Sequence, residues 1–301
     1  MTPRRIFTLM EKRQFGNTDM QVTVLGLGGA EIGFGAVDQS IVTPMLNAAI
    51  DNGMNIIDTG ECYKDSEEKI GIAVGHRRDE YHLFTKCGHT SGLEGQDWEP
   101  DMLRRQIDRS LQRLKTDRID LMQLHSCSIE ILDRGEAIQV VQEAKQTGKV
   151  RYIGYSGDGR EAKHAIELNV FDAIQTSCNI ADQECIDLTL PLAKARGMGV
   201  IAKRPVANVA WQHPSAEIAA YGGEYWKRLQ ELKFVFPDLF DLALRFTLSQ
   251  DIHVAIVGAS KPERWTTNSQ IAMKGVLDSM TLQEVRDRWN SIAKPDWVGQ
   301  N

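Results

Sequence analysis

The sequence predicts a (β/α)8 TIM barrel with an N-terminal β-hairpin and a long loop insertion before the seventh helix. Short apolar runs rich in Val, Ile and Leu alternate with helix-like segments along the chain, and eight such runs occur. Runs of this kind are typical of parallel strands that are buried on both faces. Eight alternations of strand and helix indicate a barrel. The predicted strands are 22–28, 54–58, 82–86, 119–124, 150–155, 173–178, 199–202 and 253–257.

Helices are predicted between these strands from their end signals and apolar spacing. Thr43 followed by Pro44 indicates a helix start, and Gly53 indicates its end. In segment 100–114, leucine and isoleucine recur every three or four residues, which places them on one face. The later helices are predicted at 136–146, at 241–250 in the seventh position and at 262–272 in the eighth.

Two segments do not fit the repeat. Segment 12–22 is typical of a short hairpin with a turn near Gly16, which we expect to close the bottom of the barrel. Segment 206–236 contains Trp211 and Trp226 and is predicted to be a loop at the carboxyl face, where long loops usually carry function. No linker divides the chain, so we predict one domain over residues 1–301, with residues 1–10 as an extension.

Composition excludes several classes of protein. The net charge of −6 does not favour nucleic-acid binding. The five cysteines form no C-x-x-C pair, which is typical of reduced thiols and predicts a cytoplasmic protein. The apolar part of residues 1–10 is short, so we predict no signal peptide, and no apolar run is long enough to predict a membrane helix. A doubly wound dinucleotide fold is disfavoured because the glycines after the first strand do not form G-x-G-x-x-G.

Polar side chains follow four of the predicted strands. Asp58, Lys86, His125 and Ser156 stand at strand ends, and Tyr63 lies in the loop after Asp58. Taken singly, each has a structural explanation as a cap, a solvated charge or a core group. Because the carboxyl ends of barrel strands converge on one mouth, together they predict an acid–base site. The other histidines lack metal-binding spacing, so no metal is predicted.

The sequence resembles the aldo-keto reductase family from about residue 12 to residue 268. The matching stretches are NIIDTGECY (55–63), LFTK (83–86), SLQRLKTDRIDLMQLH (110–125), GKVRYIGYS (148–156) and VGASKPERWTTN (257–268). The resemblance implies an NADP(H)-dependent oxidoreductase that transfers a hydride between nicotinamide and a carbonyl or alcohol. Its catalytic residues would be Asp58, Tyr63, Lys86 and His125.

The implied roles agree with the chemistry of the side chains. Tyr63 would be the general acid, although a free phenol has a pKa near 10. Lys86 would lower that pKa by placing a cation beside the phenolate, and Asp58 would hold Lys86. His125 would donate a hydrogen bond to the substrate oxygen.

The resemblance also implies a cofactor site. Ser156 and Gln175 would hold the nicotinamide carboxamide, and the segment from Lys203 would run along the pyrophosphate. Cations and a hydroxyl at the start of the eighth helix would bind the 2′-phosphate, which favours NADP(H) over NAD(H). The predicted cofactor-binding residues are Gly29, Asp58, Ser156, Gln175, Lys203, Arg204, Gly258, Ser260, Lys261, Arg264 and Asn268.

Two positions depart from the family pattern. Gly157 replaces an amide that usually binds the carboxamide, and Cys178 stands where we align the aromatic residue that stacks on nicotinamide. Cys178 would either pack on the ring or face the core, and Trp211 is a candidate substitute. These departures motivate an alternative function, a cofactor-sensing regulatory module. The aromatic residues of the loops, including Trp98 and Trp226, suggest a partly apolar or sugar-stacking pocket. The substrate and the oligomeric state are not predicted.

Overall fold

The computed structural model describes residues 10–258 and 261–300. Its strands are β1 Lys12–Gln14, β2 Gln21–Thr23, β3 Leu25–Gly28, β4 Ile56–Asp58, β5 His82–Cys87, β6 Ile119–His125, β7 Val150–Ser156, β8 Ala173–Ser177, β9 Gly199–Lys203 and β10 Val254–Gly258. The last eight strands form a closed barrel in sequence order, with β10 pairing β3, and their pairings are parallel. The predicted barrel is confirmed. Residues 1–9 of the predicted extension and Ser260 lie outside the described residues, whereas Met10 is buried in the core.

Helices follow the strands around the outside of the barrel. They are α1 Ala30–Phe34, α2 Gln39–Asp51, α3 Ser66–Val74, α4 Pro100–Leu114, α5 Ile129–Arg134, α6 Glu136–Gln146, α7 Gly159–Glu167, α8 Glu184–Leu188, α9 Leu190–Ala195, α10 Ala216–Ala219, α11 Gly223–Leu232, α12 Leu239–Leu248, α13 Pro262–Ala272 and α14 Ser279–Ile292. Short 3-10 segments occur at Gly75–Glu80, Ala207–Gln212 and Ala220–Gly222. Across the described ranges, no helix combines the length and the apolarity needed to cross a membrane.

The helix start predicted at Thr43 and Pro44 is wrong. Helix α2 begins at Gln39, because the Asp38 side chain accepts a hydrogen bond of 2.8 Å from the Ser40 backbone N–H. A carboxylate in this position satisfies one of the free N–H groups of the first turn. Pro44 lies inside the helix, where its missing N–H leaves one helical hydrogen bond unmade.

The N-terminal hairpin is confirmed, but its second strand was predicted as part of the first barrel strand. Predicted strand 22–28 divides into β2, which pairs antiparallel with β1, and β3, which belongs to the barrel. Phe15 in the hairpin turn is fully buried, with its ring centroid 5.4 Å from that of Phe84 inside the barrel. Gly16 has a φ of +54°, and a Cβ there would lie 2.4 Å from the backbone nitrogen of Gly199. The hairpin therefore closes the barrel at the amino ends of the strands.

Segment 206–236 is helical rather than a loop. It contains α10, α11 and the 3-10 segments on either side of α10. Residues of this segment, including Tyr225 and Leu229, pack with residues of α12 and α14 in a hydrophobic cluster outside the barrel. The segment thus forms a packed wall beside the carboxyl ends of the strands.

Candidate active site

A large cavity opens at the carboxyl ends of the barrel strands. Its volume is about 1080 Å³, which is large for a ligand site. The cavity brings most of the predicted site residues together: Gly29, Asp58, Tyr63, His125, Ser156, Gln175, Lys203, Arg204, Gly258, Arg264 and Asn268. Lys86 lies directly behind Asp58. Lys261 is exposed and does not line this cavity.

Asp58 and Lys86 form a buried ion pair at the ends of β4 and β5. The Lys86 ammonium donates to Asp58 Oδ1 at 2.5 Å and to the Thr59 carbonyl at 2.6 Å. The second carboxylate oxygen of Asp58 accepts from the side-chain amides of Gln123 at 3.0 Å and Gln175 at 2.9 Å. A buried ion pair needs such additional hydrogen bonds to offset the cost of removing both charges from water. Gln123 was not predicted as a site residue, although its polar side chain inside an apolar strand was a signal for it.

Tyr63 lies beside this ion pair. The Lys86 nitrogen is 5.1 Å from the centre of the Tyr63 ring. Burial raises the pKa of the Tyr63 phenol above its ordinary value, and the charge of Lys86 opposes this shift without cancelling it. Lys86 therefore lowers the pKa of Tyr63 as expected, but burial raises this pKa by more. The phenol consequently remains protonated at neutral pH and is able to donate its proton.

Two glycines allow the Tyr63 loop to pack tightly. A Cβ on Gly33 would lie 1.9 Å from the Tyr63 carbonyl oxygen, so helix α1 approaches the loop closely. A Cβ on Gly60 would lie 3.1 to 3.2 Å from atoms of the Tyr63 ring. The ring therefore rests on the Gly60 backbone, where any side chain would press against it.

His125 ends strand β6 on the other side of Tyr63. The two ring centroids are 5.7 Å apart, and the rings lie at 72° to each other. Burial lowers the pKa of His125 well below its ordinary value, and the charge of Lys86 adds to the shift. The imidazole is therefore neutral at neutral pH, with one N–H to donate and one nitrogen to accept.

Another part of the cavity wall carries a positive and a negative side chain, Arg264 and Glu31. Arg264 is exposed in the first turn of α13, and Asn268 is buried one turn later. The carboxyl group of Glu31 packs on the Gly258 backbone, because a Cβ on Gly258 would lie 2.7 Å from Glu31 Oε1. The partly enclosed position of Glu31 raises the pKa of its carboxyl, while Arg264 lowers it. Glu31 was not predicted, because this contact joins helix α1 to the end of the last barrel strand, far away along the chain.

Comparison with known proteins agrees with the fold. A family model described as the aldo/keto reductase family matches residues 24–290. This chain belongs to that family.

Two relatives and one solved structure illustrate the similarity. L-galactose dehydrogenase of Arabidopsis thaliana is 28% identical, over 96% of this chain and 98% of the relative. NADH-specific methylglyoxal reductase of Escherichia coli is 29% identical, over 65% of this chain and 68% of the relative. The solved holo form of aldo-keto reductase AKR11C1 from Bacillus halodurans has a TM-score of 0.81 and 27% identity, covering 96% of this chain and 99% of that chain.

Two cations of this aldo-keto reductase pair with one buried carboxylate. Lys203 lies 2.9 Å and Arg204 3.6 Å from Oδ2 of the buried Asp158. The Arg204 guanidinium also donates to the Ser177 hydroxyl at 2.9 Å. Both cations were predicted as site residues, whereas Asp158 was not. A charged residue two positions beyond the strand-end Ser156 was the available signal.

The C-terminal residues of the described chain meet the same region. Arg204 donates hydrogen bonds to the Gln300 carbonyl and to the Tyr221 hydroxyl. The Gly299 backbone N–H donates to Glu184 at 2.7 Å, and Arg228 donates to the Val298 carbonyl at 2.8 Å. The edge of the aldo-keto reductase cavity is therefore tied to the end of the chain.

The two departures from the family pattern have different outcomes. Cys178 is fully buried in the core and does not line the cavity, so only the core-facing alternative is correct. Gly157 is required, because a Cβ there would lie 2.6 to 2.8 Å from the ring and hydroxyl of Tyr155. Tyr155 is held by a 2.7 Å hydrogen bond to the Cys127 carbonyl. Tyr155 thus occupies space that a larger residue at position 157 would need.

The tryptophans predicted to line the pocket lie elsewhere. Trp98, Trp211 and Trp226 do not belong to the cavity wall, and Trp211 packs in the cluster of the helical insertion. The aromatic residues of the cavity wall are Phe34, Tyr63, Tyr221 and Phe240. Within residues 10–258 and 261–300, no cluster of three or more His, Cys, Asp or Glu side chains is arranged to hold a metal ion.

Proposed function

We propose that this protein transfers a hydride between a nicotinamide cofactor and a small carbonyl or alcohol, with Tyr63 as the general acid and base. The observation that carries the proposal is the convergence of Tyr63, His125 and the buried Asp58–Lys86 ion pair on one cavity. A phenol, a neutral imidazole and a fixed cation supply a proton donor, an orienting hydrogen bond and a positive charge beside the phenol. These are the groups that a carbonyl needs as negative charge develops on its oxygen.

The remaining cavity residues fit a nicotinamide dinucleotide. The cavity of about 1080 Å³ has room for a dinucleotide and a small substrate. Ser156 and Gln175 supply hydroxyl and amide groups beside Asp58, linked by a hydrogen bond of 2.9 Å from the Ser156 hydroxyl to Gln175. Arg264 and Asn268 supply a cation and an amide from helix α13. When bound, the cofactor supplies or accepts the hydride, and the chain's own residues manage the proton.

The proton steps follow from the protonation states. In reduction, Tyr63 donates its proton to the substrate oxygen, and the ammonium of Lys86 stabilises the phenolate that is left. In oxidation, the same phenolate accepts the hydroxyl proton. His125 orients the oxygen by donating a hydrogen bond, and Asp58 keeps Lys86 charged and in place.

We propose NADP(H) as the preferred cofactor, with Ser260, Lys261 and Arg264 around the 2′-phosphate. Arg264 supports this proposal because guanidinium groups bind phosphate through charge-assisted hydrogen bonds. Glu31 opposes it, because its carboxylate lies in the electrostatic reach of Arg264. The E. coli relative that is specific for NADH makes the measurement necessary.

Replacing Glu31 with glutamine is expected to strengthen NADPH binding about three- to tenfold and to change NADH binding less, because a charge that repels the 2′-phosphate is removed. Fluorescence titration of both cofactors measures the two Kd values. Glu68→Gln, which removes an exposed carboxylate of α3, is the matched control for net charge. Unchanged or weaker NADPH binding in Glu31→Gln contradicts the assigned position of the phosphate.

The substrate class is proposed from the cavity and from the names of the relatives. Two of them are named for a sugar, L-galactose, and for a small ketoaldehyde, methylglyoxal. The cavity wall combines polar groups with Phe34 and Tyr221, which suits a small polar carbonyl compound or an aldose. We propose a small-molecule substrate of this kind and a cytoplasmic location.

A turnover panel tests the proposal directly. NADPH and NADH are each mixed with aldehydes and ketones, and NADP+ and NAD+ with aldoses, while absorbance at the nicotinamide band is followed. Cofactor-dependent turnover of at least one class is expected. Tight cofactor binding without turnover of any compound contradicts the proposal. A stable protein partner recovered by pull-down would then support the sensing module, for which only the Gly157 departure remains as motivation.

A further inference from the structure

Cys62 contacts the catalytic histidine. Its sulfur lies 3.4 Å from Nδ1 of His125, within hydrogen-bonding distance for a thiol. Cys62 directly precedes Tyr63 and lines the same cavity, where its side chain is partly exposed. No role was assigned to Cys62 in the proton steps above.

The backbone that leads to Cys62 is held in place. The Thr59 and Glu61 N–H groups donate to the carbonyls of Phe84 and Lys86 at 2.9 and 3.0 Å. The buried Glu61 carboxylate pairs with Arg109 and Arg113 and accepts from Gln106 at 2.9 Å. A loop fixed by this many contacts presents the Cys62 thiol to His125 in a defined position.

The protonation states of both groups allow the thiol to donate to the ring. Burial raises the pKa of the Cys62 thiol to about 11, so the sulfur keeps its proton at neutral pH. The His125 ring is neutral, because burial and the surrounding cations Lys86, Lys203 and Arg204 disfavour its charged form, and so does neighbouring His89. A neutral imidazole carries one proton, on either Nδ1 or Nε2.

The two tautomers differ at the substrate. If the thiol donates to Nδ1, the ring proton is on Nε2, and this nitrogen has no hydrogen-bond partner among the residues that the structure describes. If Nδ1 carried the proton, Nε2 would present a lone pair to the substrate oxygen, and the two would repel. The hydrogen bond made by one ring nitrogen sets the state of the other.

We propose that Cys62 is a positioning residue that holds His125 in the tautomer with the proton on Nε2. The side chains that face the ring are consistent with this role. The Tyr63 and His89 rings lie 5.7 and 5.4 Å away, edge to face, so they fix the ring plane without a hydrogen bond to Nδ1. Cys62 is thus the group that supplies the proton donor on that side. The kinetic consequence rests on the proposed function, whereas the tautomer does not.

The tautomer is measured by 15N NMR of the histidine rings in the protein without cofactor. A His125→Gln spectrum assigns the resonances. In the wild type, Nε2 is expected to show the shift of a protonated nitrogen and Nδ1 that of an unprotonated one. In Cys62→Val and Cys62→Ala, the two shifts are expected to move towards each other as the tautomers mix. Cys62→Ser, which retains an O–H donor, is expected to keep the wild-type pattern.

Kinetics and binding separate this role from a general loss of structure. Cys62→Val and Cys62→Ala are expected to lower kcat about three- to tenfold, as expected for a single weak hydrogen bond, with cofactor Kd unchanged. Cys62→Ser should remain within about twofold of the wild type. Cys185→Ala, another thiol deletion that lies away from His125, is the control.

Two results overturn the proposal: a protonated Nδ1 in the wild type, or an unchanged Nε2–H pattern in both Cys62→Val and Cys62→Ala. The NMR measurement needs no turnover, so the role of Cys62 and the proposed function can be contradicted independently of each other. A confirmed tautomer in a protein that reduces no carbonyl contradicts the proposed function alone. Turnover with an unaffected tautomer contradicts the positioning role alone.

Discussion

Replacing Tyr63 with phenylalanine is expected to lower kcat by about 100- to 10,000-fold, the contribution typical of a positioned general acid. The ring would keep its packing on Gly60 and against His125, and only the proton donor would be lost. Cofactor affinity should change little, because no predicted cofactor contact involves the phenol. Steady-state kinetics in both directions, with cofactor titration on the same preparation, measure the two effects separately.

Tyr152→Phe is the matched control for loss of a tyrosine hydroxyl. Tyr152 donates to Asp19 at 3.0 Å near the hairpin, so its loss should leave kcat unchanged. If Tyr63→Phe keeps more than a tenth of wild-type kcat, then another group donates the proton and the assigned role is wrong.

Replacing Asp58 with asparagine is expected to lower both stability and activity. The Lys86 ammonium would remain buried without its counter-ion, and breaking a buried ion pair in this way costs about 3–5 kcal/mol. The side chains of Lys86 and Asp58 are only 1% and 2% exposed, so solvent cannot replace the lost partner. Urea denaturation of the variant and the wild type gives the difference in the free energy of unfolding. Asp251→Asn, which breaks an exposed pair with Lys194, should cost less than about 1 kcal/mol.

The difference in the free energy of unfolding between Asp58→Asn and the wild type is expected to depend on pH, and the pKa of Lys86 gives the sign of this dependence. In the wild type, burial acts to lower the pKa of Lys86, but Asp58 and Tyr63 outweigh it and the pKa lies above the ordinary value of 10.5. The stabilisation that charged Lys86 gives the folded state is therefore complete below its ordinary pKa. It is lost only as pH rises through the pKa of Lys86 in the folded protein. In Asp58→Asn the balance shifts towards burial, so a lysine pKa below its unfolded value makes stability rise with pH. A deficit that stays constant between pH 7 and pH 10 would contradict this account.

The sequence predicted the barrel and five of its helices because their ends carry strong local signals. Helices 100–114 and 262–272 begin with proline, and both are confirmed. Helix α12 begins two residues earlier than predicted, because the Asp238 side chain accepts from the Phe240 and Asp241 N–H groups. Pro44 gave the wrong start for α2 because a proline inside a helix looks the same in sequence as one at its first turn. The helices of segment 206–236 are short and depend on packing outside the barrel, so local spacing did not reveal them.

The site residues were also predictable only in part. Those at strand ends were predictable, because barrel geometry brings them to one mouth whatever their separation along the chain. Contacts between side chains of distant elements were not, and Glu31 on Gly258 and Asp158 between Lys203 and Arg204 are examples. The alignment of Cys178 with a ring-stacking residue was wrong because sequence position does not show which side of a strand end faces the cavity.

The placement of the five cysteines allows local opening of the molecule to be followed by cysteine alkylation. None is in a disulfide, and Cys62 alone is not buried. Alkylating reagents attack the thiolate, and burial raises the pKa of Cys62, Cys87 and Cys127. A hydrogen bond with Cys178, together with burial, raises the pKa of Cys185, so all four thiols react slowly in the native state. Intact mass after timed alkylation therefore counts how many thiols each molecule has exposed. A ligand at the mouth would protect the first site to be modified, whereas rupture of the barrel would release the other four together.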